Sequence, residues 1–274
     1  MKHITDGTIL NNGVAMPWFG LGTYKAAGDE VANAVTEALK IGYRSIDTAA
    51  VYANEEEVGQ SIAASGVARD SLFVTTKVWN EDQGFDKTLR AFEKSREKLG
   101  LDYIDLYLIH WPGADKYKET WRALERLYEE GSVRAIGVSN FQIHHLEELT
   151  KDSNTVPALN QVELHPRLIQ KELHEYCIAH NIQLEAWAPL MKGRLQDNGL
   201  LLGIAEKYRK SVSQVILRWE LQNNIVIIPK SVTPSRIKEN SEIFDFELSR
   251  DEMDAITGLN ADERIGSHPD KLLF

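Results

Sequence analysis

A single cysteine, Cys177, stands in a chain of 274 residues. One thiol closes no internal disulfide and builds no cysteine-based zinc site, so Cys177 reads as core filler. No apolar run approaches the roughly 18 residues of a membrane span. The opening Met1-Lys2-His3-Ile4-Thr5-Asp6-Gly7 turns polar too early for a secretory leader, and the cytoplasm is the expected compartment. Positive charge is also scarce: 31 Lys and Arg against 41 Asp and Glu leave a formal net charge of −10. That balance argues against a nucleic-acid groove or an anionic membrane surface as partner, and any phosphate must be held by a local basic cluster. A full dinucleotide fingerprint is missing, because Gly20-Leu21-Gly22 is followed by Lys25 where a third glycine should stand. No linker, low-complexity tract or composition break divides the chain, and one domain over residues 1–274 is expected.

What is present is a rhythm. Short β-rich runs at 18–23, 44–48, 72–78, 104–110, 133–139, 158–163, 183–188 and 225–230 alternate with segments of helical period. Val31, Val35 and Leu39 fall on one stripe before Gly42, and Phe85, Leu89, Phe92 and Leu99 do so before Gly100. Trp121, Leu124 and Tyr128 repeat the pattern before Gly131, and Ile143, Leu146 and Leu149 follow the fifth run. Glycine after such a stripe is a helix end signal, and the stripe itself needs a sheet to cover. Eight such runs, in a chain close to the about 250 residues that a (β/α)8 barrel takes, predict an α/β TIM barrel over an open doubly wound sheet. Residues 8–10 and 14–16, around Asn11-Asn12-Gly13, predict an N-terminal β-hairpin plugging the barrel bottom. Beyond the eighth run, 234–243 and 249–258 predict additional C-terminal helices, and 259–274 shows no clear period.

In a barrel the chemistry sits at the C-terminal ends of the strands. Those ends present Asp47, with Tyr52 in the loop beyond it, then Lys77, then His110. Singly, each has a plain structural explanation: a cap, a packed phenol with a wet hydroxyl, a solvated amine, a satisfied core imidazole. Together they place four proton-handling groups at one end of three consecutive strands. If Lys77 points into the barrel, Thr75 and Phe73 do too, leaving Leu72 and Val74 for the helices. An inward ammonium needs a counter-charge, and Asp47 is available. The cation beside Tyr52 should favour the phenolate and lower a pKa that starts near 10. A phenol that protonates a carbonyl oxygen while hydride reaches the carbon is half of a reductase, with His110 orienting and polarising the oxygen.

Tyr24, Trp79 and Trp111 lie on the loops over that end and, with Tyr52 and His110, would line a substrate pocket. The short loop over 113–118 suggests an open mouth. Lys230, Ser231 and Arg236, with Glu239 and Asn240 nearby, form the kind of cluster a phosphate needs; the alternative is a solvated helix start. His144, His145, Glu147 and Glu148 read as the solvated face of a helix away from the strand ends, and no metal is expected.

The run Gly42-Tyr43-Arg44-Ser45-Ile46-Asp47-Thr48-Ala49 with Tyr52 resembles the first signature of the aldo-keto reductases. Lys77-Val78-Trp79, Leu108-Ile109-His110-Trp111-Pro112, Gly137-Val138-Ser139-Asn140-Phe141, Asn160-Gln161-Val162-Glu163 and Ile228-Pro229-Lys230-Ser231 match that family's other landmarks in order. The chain is most similar to its bacterial glyoxal, methylglyoxal and 2,5-diketogluconate reductases, notably over Met16-Pro17-Trp18-Phe19-Gly20-Leu21-Gly22 and Trp79-Asn80-Glu81-Asp82-Gln83-Gly84. The resemblance implies NADPH-dependent reduction of a small carbonyl substrate by a monomer, with Tyr52 as general acid, Lys77 and Asp47 as its tuning pair and His110 as the orienting residue. It implies nicotinamide contacts from Ser139, Asn140 and Gln161, with Trp187 stacked on the ring. It further places Gly22, Thr23, Asp47, Ala188, Leu190, Lys230, Ser231, Val232, Thr233, Arg236, Glu239 and Asn240 around the cofactor, the last group toward the 2′-phosphate. Two other readings stay open: a cofactor-binding regulatory or sensor subunit of the same fold, and a cofactor-free barrel isomerase or hydrolase using Asp47 and His110.

Overall fold

A computed structural model describes residues 1–113 and 116–272. The expected loop over 113–118 falls partly on Ala114 and Asp115, and the expected tail ends on Leu273 and Phe274; these four lie outside the described residues. Strands β1 (Gly7–Ile9) and β2 (Ala15–Pro17) pair antiparallel as the expected hairpin. Eight parallel strands then follow in sequence order: β3 (Leu21–Gly22), β4 (Ser45–Asp47), β5 (Phe73–Val78), β6 (Ile104–Ile109), β7 (Val133–Ser139), β8 (Leu159–Glu163), β9 (Gln183–Trp187) and β10 (Val226–Ile227). Helices α1 (Gly28–Ile41), α2 (Glu55–Ala64), α3 (Phe85–Leu99), α4 (Tyr117–Glu129), α5 (Ile143–Thr150) and α6 (Lys171–Ala179) are interleaved with them. The chain adds α7 (Gly199–Tyr208) and α8 (Val212–Gln222) before β10, then α9 (Pro234–Ser241) and α10 (Arg250–Thr257) after it.

The sheet closes on itself. Phe19 bridges Ile227 and Gly22 bridges Lys230, both in parallel sense, and the Gly20 amide donates to the Ile227 carbonyl at 2.9 Å. The first and eighth strands are shorter than the sequence suggested, because Pro229 has no N–H to continue the ladder and the seam reduces to isolated bridges. Glycine is required at this seam: a Cβ on Gly22 would come 2.7 Å from the Ile228 carbonyl oxygen.

The alternation anticipated for β5 divides the core as expected. Phe73 packs inside the barrel with Leu106, Leu108, Leu159 and Val226, whereas Leu72 and Val74 join the larger apolar layer between strands and helices. Leu10 and Met16 of the hairpin belong to the inner cluster, so the hairpin does plug the bottom. Its turn is tied down by Asn11 and Asn12, whose amides donate to the carbonyls of Pro157 and Arg134. The glycine stops hold: Gly42 and Gly100 close α1 and α3 in the left-handed conformation, at φ 118° and 62°, which only glycine adopts without strain.

At the bottom, Asp105 is fully buried between Arg69 at 2.6 Å and Arg134 at 2.8 Å, and also accepts from the Val74 amide. Replacing it strands a buried amide and two guanidinium groups, although the latter remain partly exposed. Asp105→Ala should therefore cost about 3 kcal/mol, at the lower edge of what breaking a buried pair costs. A urea unfolding curve, with its midpoint lowered at unchanged slope, checks this.

Candidate active site

Alternation along β4 and β5 turns Asp47 and Lys77 into the barrel, where their side chains meet. Lys77 Nζ lies 2.6 Å from Asp47 Oδ1 and donates to the Thr48 carbonyl at 2.9 Å. Lys77 is 0% exposed and Asp47 2%. Burial disfavours the ammonium, but Asp47, then Tyr52, pull the other way and hold the Lys77 pKa above its ordinary value. Burial likewise pushes the Asp47 carboxyl up, opposed by Lys77 and by the Gln161 amide, which donates to Oδ2 at 2.7 Å.

Tyr52 sits in a short helical turn, Ala50–Tyr52, just past β4. Asn54, fully buried, fixes this turn: its amide donates to the carbonyls of Thr23 and Ala26 and its oxygen accepts from Thr48 Oγ1. The ring has Lys77 Nζ 5.3 Å from its centroid, His110 edge-on at 5.7 Å and Tyr24 at 5.2 Å. The four proton-handling groups are thus brought together as the sequence indicated. The sign of the phenol shift is not as expected. Burial outweighs Lys77 and lifts Tyr52 to about 12, with the cation only moderating the rise.

His110 follows β6, and burial, then Lys77, depress its pKa well below the ordinary imidazole value. At neutral pH it is an uncharged imidazole. Trp79 packs edge-on against it at 5.1 Å. Tyr24, half exposed, and Trp79 therefore do lie over the tyrosine and histidine; Trp111 is half-buried, its carbonyl accepting from the Gln83 amide at 2.7 Å.

The residues expected to face a nicotinamide form one hydrogen-bonded chain. Trp187 Nε1 donates to Asn140 Oδ1 at 2.8 Å, Asn140 Nδ2 donates to the His110 carbonyl at 2.9 Å, and Ser139 Oγ donates to the Gln161 carbonyl. Asn140 takes φ 65° and Ala188 φ 51°, left-handed conformations that turn the chain sharply at the ends of β7 and β9. Lys230, between β10 and α9, and Arg236, in the first turn of α9, are exposed, while Lys238 of that helix pairs with Glu242 just beyond it. No carboxylate among the described residues pairs with either of them. Ser231 is buried, and its Oγ accepts from the Thr233 amide.

A match to the model of the aldo/keto reductase family runs over residues 18–261. The chain belongs to that family. It is 64% identical over 272 residues to the glyoxal reductase of Bacillus subtilis (strain 168), covering 99% of each chain. It is 47% identical over 266 residues to the methylglyoxal reductase DkgA of Salmonella typhimurium, covering 96% of each. Among solved structures, a Gox0644 mutant in complex with NADPH superposes with a TM-score of 0.94 at 44% identity, over 98% of this chain and 99% of that one.

Within this aldo/keto reductase, three features escaped sequence reasoning. Glu185 of β9 is buried beside the Gln161 amide at 2.7 Å; an acid set between the apolar Leu184 and Ala186 was the available signal. Glu163 accepts from the Ile265 and Gly266 amides and pairs with His165, which brings the C-terminal segment against the Trp187 ring. A Cβ on Gly266 would sit 2.5 Å from Trp187 Cη2. Finally, His144 and His145 are not remote from the strand ends: α5 starts four residues after β7, and His145 packs on Phe141. With Asp270 they bring three ligand-type atoms within 4.8 Å. His145 Nδ1, however, accepts the Gln142 amide of the helix cap, which leaves the proton on Nε2, 3.5 Å from Asp270. The group therefore reads as a clasp for the tail; a cation taking Nε2 would have to break the cap.

The opposing influences on Tyr52 can be separated. Lys77→Met removes the cation and lets the unpaired Asp47 take up a proton, so the larger of the two charge effects is lost and burial acts unopposed. The Tyr52 pKa should rise above its value in the parent protein, read from the pH dependence of a 13Cζ-tyrosine NMR signal.

Proposed function

We propose that the protein is an NADPH-dependent reductase of small aldehydes, ketones and dicarbonyls, working as a monomer with one barrel domain supplying every catalytic group. The observation that carries this reading is the enclosed Lys77–Asp47 pair, with the Tyr52 phenol and a neutral His110 converging above it. The names of the relatives support the substrate class: a glyoxal reductase and a methylglyoxal reductase cover nearly the whole chain. The NADPH complex of a structure with the same fold supports the cofactor.

The residues present fit that cofactor. Trp187, half-buried and pinned through Nε1, offers an aromatic face at the barrel mouth, and the Gln161 amide, with both nitrogen hydrogens engaged inside the barrel, keeps its oxygen for an external donor. Lys230 and Arg236, exposed and free of carboxylate partners among the described residues, suit a phosphate: a compact charge and a planar pair of donors beside the Ser231 hydroxyl. Gly22, Thr23, Leu190, Val232 and Thr233 would supply backbone and apolar contacts around it, with Glu239 and Asn240 at the adenine side. NADPH supplies the hydride that adds to the carbonyl carbon.

The chain's own part is to hold the oxygen and to protonate it. His110, uncharged, donates one N–H to the carbonyl oxygen and polarises it. It is a poor acid, because a neutral imidazole N–H is far less acidic than a phenol. Tyr52, with a pKa of about 12, still carries its proton at neutral pH and can transfer it once the oxygen gains alkoxide character. Lys77, kept cationic by Asp47, stabilises the phenolate left behind. Tyr24, Trp79 and Trp111 would confine the substrate over this pair and keep water from the transfer.

Tyr52→Phe should leave the NADPH dissociation constant unchanged while lowering methylglyoxal turnover by ~10²–10⁴-fold, measured by NADPH oxidation at fixed protein concentration; near-parental turnover would remove Tyr52 from the mechanism. Arg236→Ala should weaken NADPH by about tenfold or more, as expected for losing a charged hydrogen bond, and leave NADH unaffected. Fluorescence titration with both cofactors reads the difference.

A further inference from the structure

We infer that Glu185 is a positioning residue that fixes the direction of the Gln161 amide, and through it the hydrogen-bonding face offered to the carboxamide of a nicotinamide. This rests on the proposed cofactor reading and adds to it a residue that touches neither cofactor nor substrate.

Register pairs Gln161 of β8 with Glu185 of β9, so both side chains turn to the same interior layer. Gln161 Nε2 has two hydrogens, and each meets a carboxyl: Asp47 Oδ2 at 2.7 Å and Glu185 Oε2 at 2.7 Å. With Asp47 alone, rotation of the amide would exchange one good contact for one poor one. With carboxyls on both hydrogens, rotation would turn Oε1 toward the ionised Asp47 oxygen and give up both bonds, of which a protonated Glu185 could restore only one. The clamp therefore directs Oε1 away from the two carboxyls, as an acceptor for an N–H donor.

Glu185 is costly for a merely structural position. It is 1% exposed and flanked along its strand by Leu184 and Ala186, and its Oε1 has no hydrogen-bond partner. The charged and polar groups facing it are Asp47 from β4, Lys77 from β5 and Gln161 from β8, and its register partner on β10 is the apolar Val226. Burial, then Asp47, push its carboxyl up to about 8, with Gln161 and Lys77 opposing. At neutral pH it is thus a neutral acid whose Oε2 accepts from Gln161. In that state it clamps the amide without adding a second negative charge beside the Lys77–Asp47 pair.

The test compares binding of NADPH with that of its reduced 3-acetylpyridine analogue, which lacks the carboxamide N–H donors, by fluorescence titration of the parent protein, E185L and E185Q. The parent should prefer NADPH by about 5–10-fold, the worth of one hydrogen bond between neutral groups. E185Q, whose amide oxygen can still accept from Gln161, should keep that preference. E185L should bring the ratio close to one while native circular dichroism is retained; if leucine does not fold, E185M replaces it and is read the same way. A parent protein without preference overturns the cofactor reading of Gln161 and this inference with it. A parent preference that survives in the apolar variant, or is lost in E185Q as fully as in E185L, overturns the role of Glu185 alone.

Discussion

An ammonium with no exposed surface, 2.6 Å from a carboxylate, keeps its charge only because that carboxylate is there. The Lys77–Asp47 pair is possible because the barrel closes: β3 and β10 meet through the seam at Gly22, and the hairpin residues Leu10 and Met16 fill the space beneath. Water is shut out from below, and the low-dielectric interior makes the pair's field felt by its neighbours. Tyr52, His110 and Gln161 all answer to it. Burial, reinforced by the cation, keeps the imidazole neutral; the cation moderates the rise that burial imposes on the phenol pKa, and its carboxylate partner accepts from the Gln161 amide.

In the proposed reaction, Tyr52 is a group that keeps its proton until the oxygen demands it. A phenol ionised at neutral pH would have no proton to give, and one buried without a cation would leave an unstable phenolate. The tyrosine instead sits between these limits, with burial the stronger influence. An alkoxide is more basic than a phenolate, so in the proposed reaction transfer becomes favourable only as hydride reaches the carbon. The same burial, with Lys77 close by, suits the imidazole to the proposed polarising role: charging it would put an unhydrated second cation beside Lys77.

Much of this was legible in the sequence. The glycine stops after Leu39 and Leu99, the period of two through Phe73, Thr75 and Lys77, and the placement of Asp47, Lys77 and His110 at successive strand ends all follow from local rules, and the fold obeys them. Four helices, α2 and α6 to α8, carried weaker signals. In α8, burial on nearly every side blurs the amphipathic stripe, although its Ser211–Gln214 capping box is a local start signal. What could not be read was the balance of opposing influences. The sequence shows that Lys77 can stand near Tyr52, but the size of the burial effect depends on how completely the loops at Asn54 and Trp79 enclose the ring. Glu185 was missed for a similar reason, since its meaning depends on Gln161, its neighbour across β8 and β9 but 24 positions away in sequence.

The two ends of the barrel handle buried charge in opposite ways. At the bottom one carboxylate, Asp105, faces two guanidinium groups that both reach solvent, so excess positive charge is carried by water and the cluster serves stability. At the top two carboxyls, Asp47 and Glu185, share one ammonium that has no route to solvent. Excess charge there cannot be hydrated, and the cheaper state is one in which a carboxyl holds a proton. Asp47, in direct contact with Lys77, is the one to ionise, and Glu185, reached only through the Gln161 amide, is the one to stay neutral. The barrel thus keeps at its bottom ion pairs whose guanidinium groups reach solvent and that hold strands together, and buries beneath its mouth groups whose protonation is decided by one another.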